Sequence, residues 1–283
     1  MKSLQVFDCL LTKTIKKLDN TTTSVGLLIS TYNWADALYL CLQSVLNQTI
    51  LPSEILIADD GSNDKTREIV DEFSKKTTIP VIHIWHEDNG FQLAKIRNRA
   101  IKKATTSYII QVDGDLILNQ YFISDHLKFA KKNHFIRGSR VRLGQKLSAE
   151  LLQQKKIKFS FFNADIQNRF NGLRCYFVAK LLSKPSSNPH KMLGCNMSYW
   201  RSDALLANGY ENLLVGWGHE DEEFAARMVN IGLKKIKLKH FGFVNHIYHP
   251  ERVRNNEATH NAFLKTVILE KKQRALNGIN QLE

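Results

Sequence analysis

The chain is predicted to fold as an α/β domain around a mostly parallel central sheet flanked by helices, with an elaborated second half. Three observations carry that expectation. Short runs rich in Ile, Leu and Val recur through the first half, at VGLLIS (25–30), EILIADD (54–60), VIHIW (81–85) and YIIQVDGD (108–115). Segments with helical spacing separate them. Polar clusters fall where the runs end, at STYN (30–33), ADDGSND (58–64) and DGD (113–115).

The first run shows no apolar–polar alternation, as expected of a parallel strand covered on both faces. Leu38, Leu42 and Val45 then recur at four and three, which gives the first helix one apolar stripe. EILIADD repeats the buried-strand pattern, and Ile69 with Phe73 begins a second helix. VIHIW supplies the third strand, and Leu93, Ile96 and Ala100 mark the third helix. YIIQVDGD completes a strand–helix alternation over about residues 22–125, the rhythm of a doubly wound sheet. In such a sheet the carboxyl ends of the strands form the ligand edge, so the three polar clusters are expected to meet in space.

Beyond residue 126 the rhythm loosens. Basic residues gather from Lys128 to Lys158 with few compensating acids. SKPSSNPHK (183–191) has the composition of an exposed loop. A strand at CNMSYW, a helix starting near Glu220 and an apolar–basic pattern near 234–244 follow. A last helix is expected around 257–276, where Phe263, Leu264 and Val267 sit beside lysines. Docking onto the domain is the expectation for it, with a membrane rest as the alternative.

The 283 residues can bury a substantial core, and 43% hydrophobic with 24% charged content is ordinary for a globular protein. Forty Lys and Arg against twenty-seven Asp and Glu leave +13, which favours an anionic neighbour without choosing among nucleic acid, lipid and phosphorylated ligand. Four cysteines, none closely paired, indicate neither a disulfide framework nor a Cys-based zinc site. MKSLQVFDCLLTKTIKK is too polar and interrupted for a signal peptide, and no apolar run approaches spanning length. A cytoplasmic chain is the expectation, with peripheral contact at the inner face of the cell membrane left open.

Two segments carry chemistry-bearing side chains. VDGD sets Asp113 and Asp115 two positions apart at a strand end. Two close carboxylates repel and are easiest to keep with a cation or donor between them, and hard oxygen ligands suit Mg2+ or Mn2+. A simple Asp-Gly turn explains the same string. NHIYHPE adds His246 and His249, either of which could complete a mixed oxygen–nitrogen site or lie satisfied elsewhere. VGWGHEDEEF then gathers four carboxylates after Trp217, which offers an apolar face to a sugar ring. Acids at a helix start are also favoured by the helix dipole, and the two readings are compatible.

Together these residues resemble an inverting family 2 glycosyltransferase of the GT-A fold. LLISTYN, EILIADDGSND, NGFQLAKIRNRA and IIQVDGD carry the likeness in the first half. In the second half GWGHEDEEF and HPERVRNNE are similar to the region shared by β-1,4-galactosyltransferases, polypeptide N-acetylgalactosaminyltransferases and bacterial chondroitin-polymerase domains. The resemblance covers about residues 22–260. It implies an N-terminal extension (1–21), a nucleotide-sugar half (22–125), an acceptor-binding and catalytic half of the same domain (126–256), and a C-terminal amphipathic helix and tail (257–283).

It also implies a UDP-sugar donor, a glycan acceptor and Mn2+ or Mg2+. Ser30, Tyr32 and Asp60 would contact the uridine, and Arg97 and Asn98 would line the nucleotide or phosphate side. Asp113 would approach the ribose or a metal-bound water. Asp115 would hold the cation with His249, and His246 stands as the alternative ligand. Asp221 would be the general base, with Glu220, Trp217 and Gly216 on the acceptor. Capsule, lipopolysaccharide or another bacterial surface glycan is the expected product. The rivals are a metal-dependent nucleotidyltransferase or phosphodiesterase and an inactive glycan-binding scaffold. No base-reading or strand-stacking module supports nucleic acid as a partner.

Overall fold

The computed structural model describes residues 23–250 and 256–282. The extension expected over 1–21 and residues 251–255 of the basic–polar tail lie outside them. Strands and helices alternate through the first half as β1 (Val25–Thr31), α1 (Ala35–Leu46), β2 (Glu54–Asp59), α2 (Asp64–Ser74), β3 (Val81–Trp85), α3 (Leu93–Lys103) and β4 (Tyr108–Asp113). The chain continues through β5 (Leu116–Leu118), α4 (Phe122–Phe129), β6 (His134–Arg137), β7 (Ser139–Leu143), α5 (Gln145–Gln154) and β8 (Ile166–Gln167). Then follow α6 (Tyr176–Leu182), β9 (Pro185–Ser186), β10 (Asn196–Trp200), α7 (Arg201–Leu206), α8 (Glu220–Asn230), β11 (Lys234–Lys237), β12 (Phe243–His246) and α9 (Glu257–Leu269).

The main sheet runs β3-β2-β1-β4-β10-β6-β11-β9. Its first four strands are mutually parallel, and β10 enters antiparallel between β4 and β6. From β1 the chain steps outward to β3, then returns to β4 on the other side of β1. That reversal opens a crevice beyond the carboxyl ends of the strands, and the β1–β4 register sets Ser30 opposite Asp113 at its floor.

The missing alternation in the strands has a direct cause. Leu28, Leu56 and Ile109 pack on one face with Ile96 of α3 and Phe224 of α8. Leu27, Ile29, Ile55, Ile57 and Ile110 pack on the other with Leu38 and Leu42 of α1 and Val70 of α2. Each such side chain contributes ~1.5–3 kcal/mol over leaving it in water, so both faces must stay apolar.

A second sheet, β5-β12-β7-β8, stands beside the crevice. The apolar–basic stretch near 234–244 thus divides: β11 joins the main sheet and β12 the second. Pro185 and Ser186, expected in an open loop, pair with β11 as the short outermost strand, where a missing N–H is tolerated. The last helix ends at Leu269, short of residue 276, and Lys271 (φ 50°) turns the chain beyond it. Leu264 and Val267 bury against Ala226 of α8, so α9 docks on the domain. No described helix is long and apolar enough to cross a membrane.

Candidate active site

At the end of β4, Gly114 donates its N–H to the Ser30 carbonyl at 2.7 Å and turns the chain between the two acids of VDGD. Asp113 and Asp115 are thereby aimed at different partners. Antiparallel pairing of β5 with β12 sets His246 opposite Leu116, and Ile247 N–H reaches the Asp115 carbonyl at 3.0 Å. His246 Nε2 then lies 3.5 Å and His249 Nε2 3.4 Å from Asp115 Oδ2. One donor atom from each of the three falls within 4.8 Å of the others. The two histidines, set as alternatives by the sequence, come together.

Their chemistry fits a divalent cation. Asp115 Oδ1 is buried with no protein hydrogen-bond partner, a loss of ~1–3 kcal/mol unless a ligand meets it. Burial alone would raise the Asp115 pKa, but the His249 hydrogen bond and the His246 and His249 charges hold it below the usual carboxylate value. Burial pushes His246 down to about 4 against the pull of Asp115, which leaves a neutral imidazole with a free lone pair. One carboxylate and two imidazoles suit Mn2+ better than Mg2+, which prefers oxygen throughout.

Beside this set, Arg97 of α3 is 1% exposed and bridges acids from both halves of the chain. Its Nη2 donates to Asp113 Oδ1 and its Nη1 to Asp221 Oδ1, both at 3.1 Å, while Glu220 Oε1 lies 3.7 Å from Nη1. Nε donates to Ser30 Oγ at 3.1 Å. Burial disfavours the charged guanidinium, but Tyr210 and the Asp221, Asp113 and Glu220 carboxylates raise its pKa above the ordinary value. This guanidinium is committed to protein carboxylates instead of standing open toward a phosphate. Three acids on one cation leave an electronegative pocket that favours a metal next to it.

The VGWGHEDEEF turn positions two of those acids. Gly216 and Gly218 adopt φ of 96° and 121°, a region that disfavours other residues. Gly216 N–H donates to the Phe91 carbonyl at 3.1 Å, and His260 Nδ1 of α9 holds the Gly218 carbonyl at 2.6 Å. Trp217 is left 37% exposed at the turn, and Glu220 and Asp221 open α8 facing Arg97. The other two carboxylates do not join them. Glu222 accepts from Lys191 N–H at 2.5 Å, and Glu223 is buried against Arg227 one helical turn on at 2.6 Å. Of the four carboxylates, only Glu220 and Asp221 gather at Arg97.

Asp221 has a partner without a sequence signal: Gly194 N–H donates to its Oδ2 at 2.6 Å. A Cβ at Gly194 would collide with that carboxylate. Under the general-base role that the resemblance implies for Asp221, Gly194→Ala is expected to displace that carboxylate and lower turnover by about 10²-fold with UDP affinity retained, because small misplacements of a reacting group cost that much. Steady-state kinetics beside UDP titration checks this.

Glu220 yields a pH prediction. Burial raises its pKa to about 7, the Asp221 charge adds to this, and Arg97 opposes it. Unfolded, the group titrates near 4.5. Between those values the folded state binds more protons, so its contribution to stability falls as pH rises through that window. In metal-free buffer Glu220→Gln is expected to lose less Tm than the parent between pH 5 and pH 8.

On the donor side, Tyr32 Oη donates to Asp88 Oδ2 at 2.9 Å beside the crevice. Asp60 accepts from Gln92 N–H at 2.9 Å, and His86 Nε2 lies 2.8 Å from its other oxygen. His86 was not singled out in the sequence, though it stands just ahead of the NGFQ stretch. Asn98 departs from expectation. Fully buried, it donates to the Tyr210 carbonyl at 2.7 Å and accepts from Tyr210 N–H at 2.7 Å. Its amide anchors the segment before the Trp217 turn and does not face the crevice.

A family model described as glycosyl transferase family 2 matches residues 27–188, and one described as N-terminal domain of galactosyltransferase matches 177–250. The chain is 26% identical over 245 residues to the Escherichia coli UDP-Glc:alpha-D-GlcNAc-diphosphoundecaprenol beta-1,3-glucosyltransferase WfaP, covering 86% of this chain and 82% of that protein. It is 25% identical over 224 residues to Escherichia coli chondroitin synthase, covering 74% of this chain but spanning only 32% of that relative. GalNAc-T7 solved with UDP, GalNAc and Mn2+ superposes with a TM-score of 0.67 at 17% identity, over 88% of this chain and 48% of that one. The Pyrobaculum calidifontis mannosyltransferase PcManGT with GDP-Man and Mn2+ gives 0.58 at 15%, over 88% and 69%. These two likenesses show the shared fold.

Proposed function

The chain belongs to glycosyl transferase family 2, and from that membership we propose that it transfers a hexose or N-acetylhexosamine from a UDP-sugar to a glycan hydroxyl, with inversion, in cell-surface polysaccharide synthesis. One observation carries the reading. The Asp115–His246–His249 set and the Asp221 carboxylate lie on one sheet edge, linked through Asp113 and Arg97. The UDP and Mn2+ held by GalNAc-T7 on the same fold support a metal-assisted UDP-sugar donor.

Mn2+ or Mg2+, when bound by Asp115, His246 and His249, would supply positive charge to the departing diphosphate. Ser30, Tyr32 and Asp60 border the crevice where the nucleoside would lie. Asp221, fixed by Arg97 and Gly194, takes the proton from the acceptor hydroxyl, and Glu220 orients that sugar through a hydrogen bond. Trp217 offers it an apolar face. Attack opposite the leaving group inverts the anomeric carbon in one displacement, so no protein nucleophile is required.

Incubating the chain with Mn2+, simple acceptors and UDP-galactose, UDP-N-acetylgalactosamine, UDP-N-acetylglucosamine or UDP-glucose tests this. The α-linked donors are expected to yield a β-linked product by NMR. An α-linked product would remove inversion, and cleavage or extension of a polynucleotide would favour the phosphodiester rival.

A further inference from the structure

One feature outside the transfer site is strongly charged and built into the fold. Arg137, Arg140, Arg142, Lys237, Lys239 and His240 line a cleft of about 580 Å3 whose described walls contain no Asp or Glu. Arg137 Nε is buried there without a hydrogen-bond partner, and burial together with the Arg140 charge holds that guanidinium below its usual pKa. Crowded cations with an unsatisfied buried N–H are unfavourable until an anion meets them.

The cleft adjoins the site. Leu193 forms part of its wall, and the next residue, Gly194, donates to Asp221. Arg140 and Arg142 are two apart on β7 and share a face, and Arg142 stands in register with His246 on β12. Arg140 Nη1 also lies 3.8 Å from Cys195 Sγ, one residue past Gly194. An acceptor hydroxyl at Asp221 would therefore place the remainder of its molecule within reach of these cations.

The rim of the cleft is apolar and faces outward. On α6, Tyr176 and Ala179 pack into the domain, while Phe177 and Leu181 are 63% and 68% exposed. Val178 and Leu182 extend the same stripe, and Leu182 lines the cleft itself. Phe170, between the cleft residues Asn168 and Asn171, is 70% exposed. A water-soluble glycan would use the polar cleft and leave this stripe in water. A basic cleft continuous with an outward apolar stripe matches an anionic headgroup at a lipid surface.

We propose that the cleft is a second anion subsite, for the phosphate of an acceptor sugar carried on a lipid, and that α6 with Phe170 rests in the membrane surface presenting it. Several guanidinium and ammonium groups suit the dense charge of a phosphate or diphosphate better than a single uronate carboxylate. The assignment rests on the transferase reading for the acceptor's role, while the anion site itself is testable without turnover. It also moves the membrane contact from α9, which docks on α8, to α6.

Flotation with phosphatidylcholine vesicles, alone or containing a long-chain polyprenyl diphosphate or phosphatidylserine, tests it on the full chain. Wild type is expected to float with the polyprenyl diphosphate and far less with the other two. Arg142→Gln/Lys239→Gln and, separately, Phe177→Ser/Leu181→Ser are each expected to weaken that binding about tenfold. All four positions are exposed or half-buried, so the variants should keep the parent Tm, and UDP affinity with Mn2+ should stay within about twofold. Equal flotation on phosphatidylserine, no flotation at all, or a parallel loss of UDP affinity in the Arg142 variant would each overturn the subsite. Transfer to a soluble neutral glycoside as fast as to the lipid-linked sugar would overturn it while leaving the transferase reading intact. Selective flotation without transfer to any acceptor would overturn the transferase reading instead.

Discussion

Asp115→Ala is expected to abolish Mn2+-supported UDP binding and to lower transfer by roughly 10³-fold or more, the several kcal/mol that a bound Lewis acid contributes to a developing charge. Asp115 supplies the one carboxylate of the three-residue set, and His246 and His249 depend on it for their position as well as their charge balance. A structural collapse would mimic this loss. The substitution, however, also removes the buried Oδ1 that has no protein partner, which offsets part of the lost histidine contacts, so the metal-free Tm should fall only slightly. Calorimetric titration of UDP with and without Mn2+ checks the result. Unchanged Mn2+-dependent affinity would contradict the assignment of Asp115.

Asp221→Asn is expected to act on a different step. UDP affinity in Mn2+ should persist, because Asp221 lies across Arg97 and Asp113 from the His246–His249 pair. Transfer should fall by about 10²–10⁴-fold, the range for loss of a positioned general base. The amide cannot accept from both Arg97 Nη1 and Gly194 N–H, so one contact is also replaced by opposing N–H groups. Gly194→Ala perturbs the same carboxylate from the other side without removing it. A smaller defect there than in Asp221→Asn separates positioning from proton transfer. Near-parental transfer by Asp221→Asn would mean that another group accepts the proton.

The first half was legible because physics makes its signals local. Strands covered on both faces lose alternation, helices keep a stripe, and polar residues mark the ligand edge of a parallel sheet. The VDGD string also disclosed its turn through Gly114. In the second half the strand at CNMSYW and the helices near Glu220 and residue 257 were legible, while β6, β7, α5 and α6 carried no clear pattern, and the partners of all of them were not legible. His246 and His249 meet Asp115 only because β12 pairs with β5, a contact between segments far apart in the chain. Arg97 sits in a helical pattern like any basic residue, and its burial under Asp113, Glu220 and Asp221 depends on α8 arriving from the other half. Gly194 acts through a backbone N–H, which no residue type announces.

Other misses had readable causes. Glu223 and Arg227 stand four apart, the spacing at which helical side chains pair, so one acid of the cluster could have been set aside from the sequence. Asn98 follows Arg97 in KIRNRA, but neighbours on a helix point about 100° apart and do not share a role by adjacency. Its amide is spent on the backbone of Tyr210.

Anomalous diffraction from crystals grown with Mn2+ and UDP addresses the shared edge most directly. A single manganese peak coordinated by Asp115, His246 and His249, with the UDP phosphates on it and the Asp221 carboxylate facing open cleft nearby, is the expected result. A peak coordinated without Asp115, or UDP bound on a surface remote from Asp221, would contradict it.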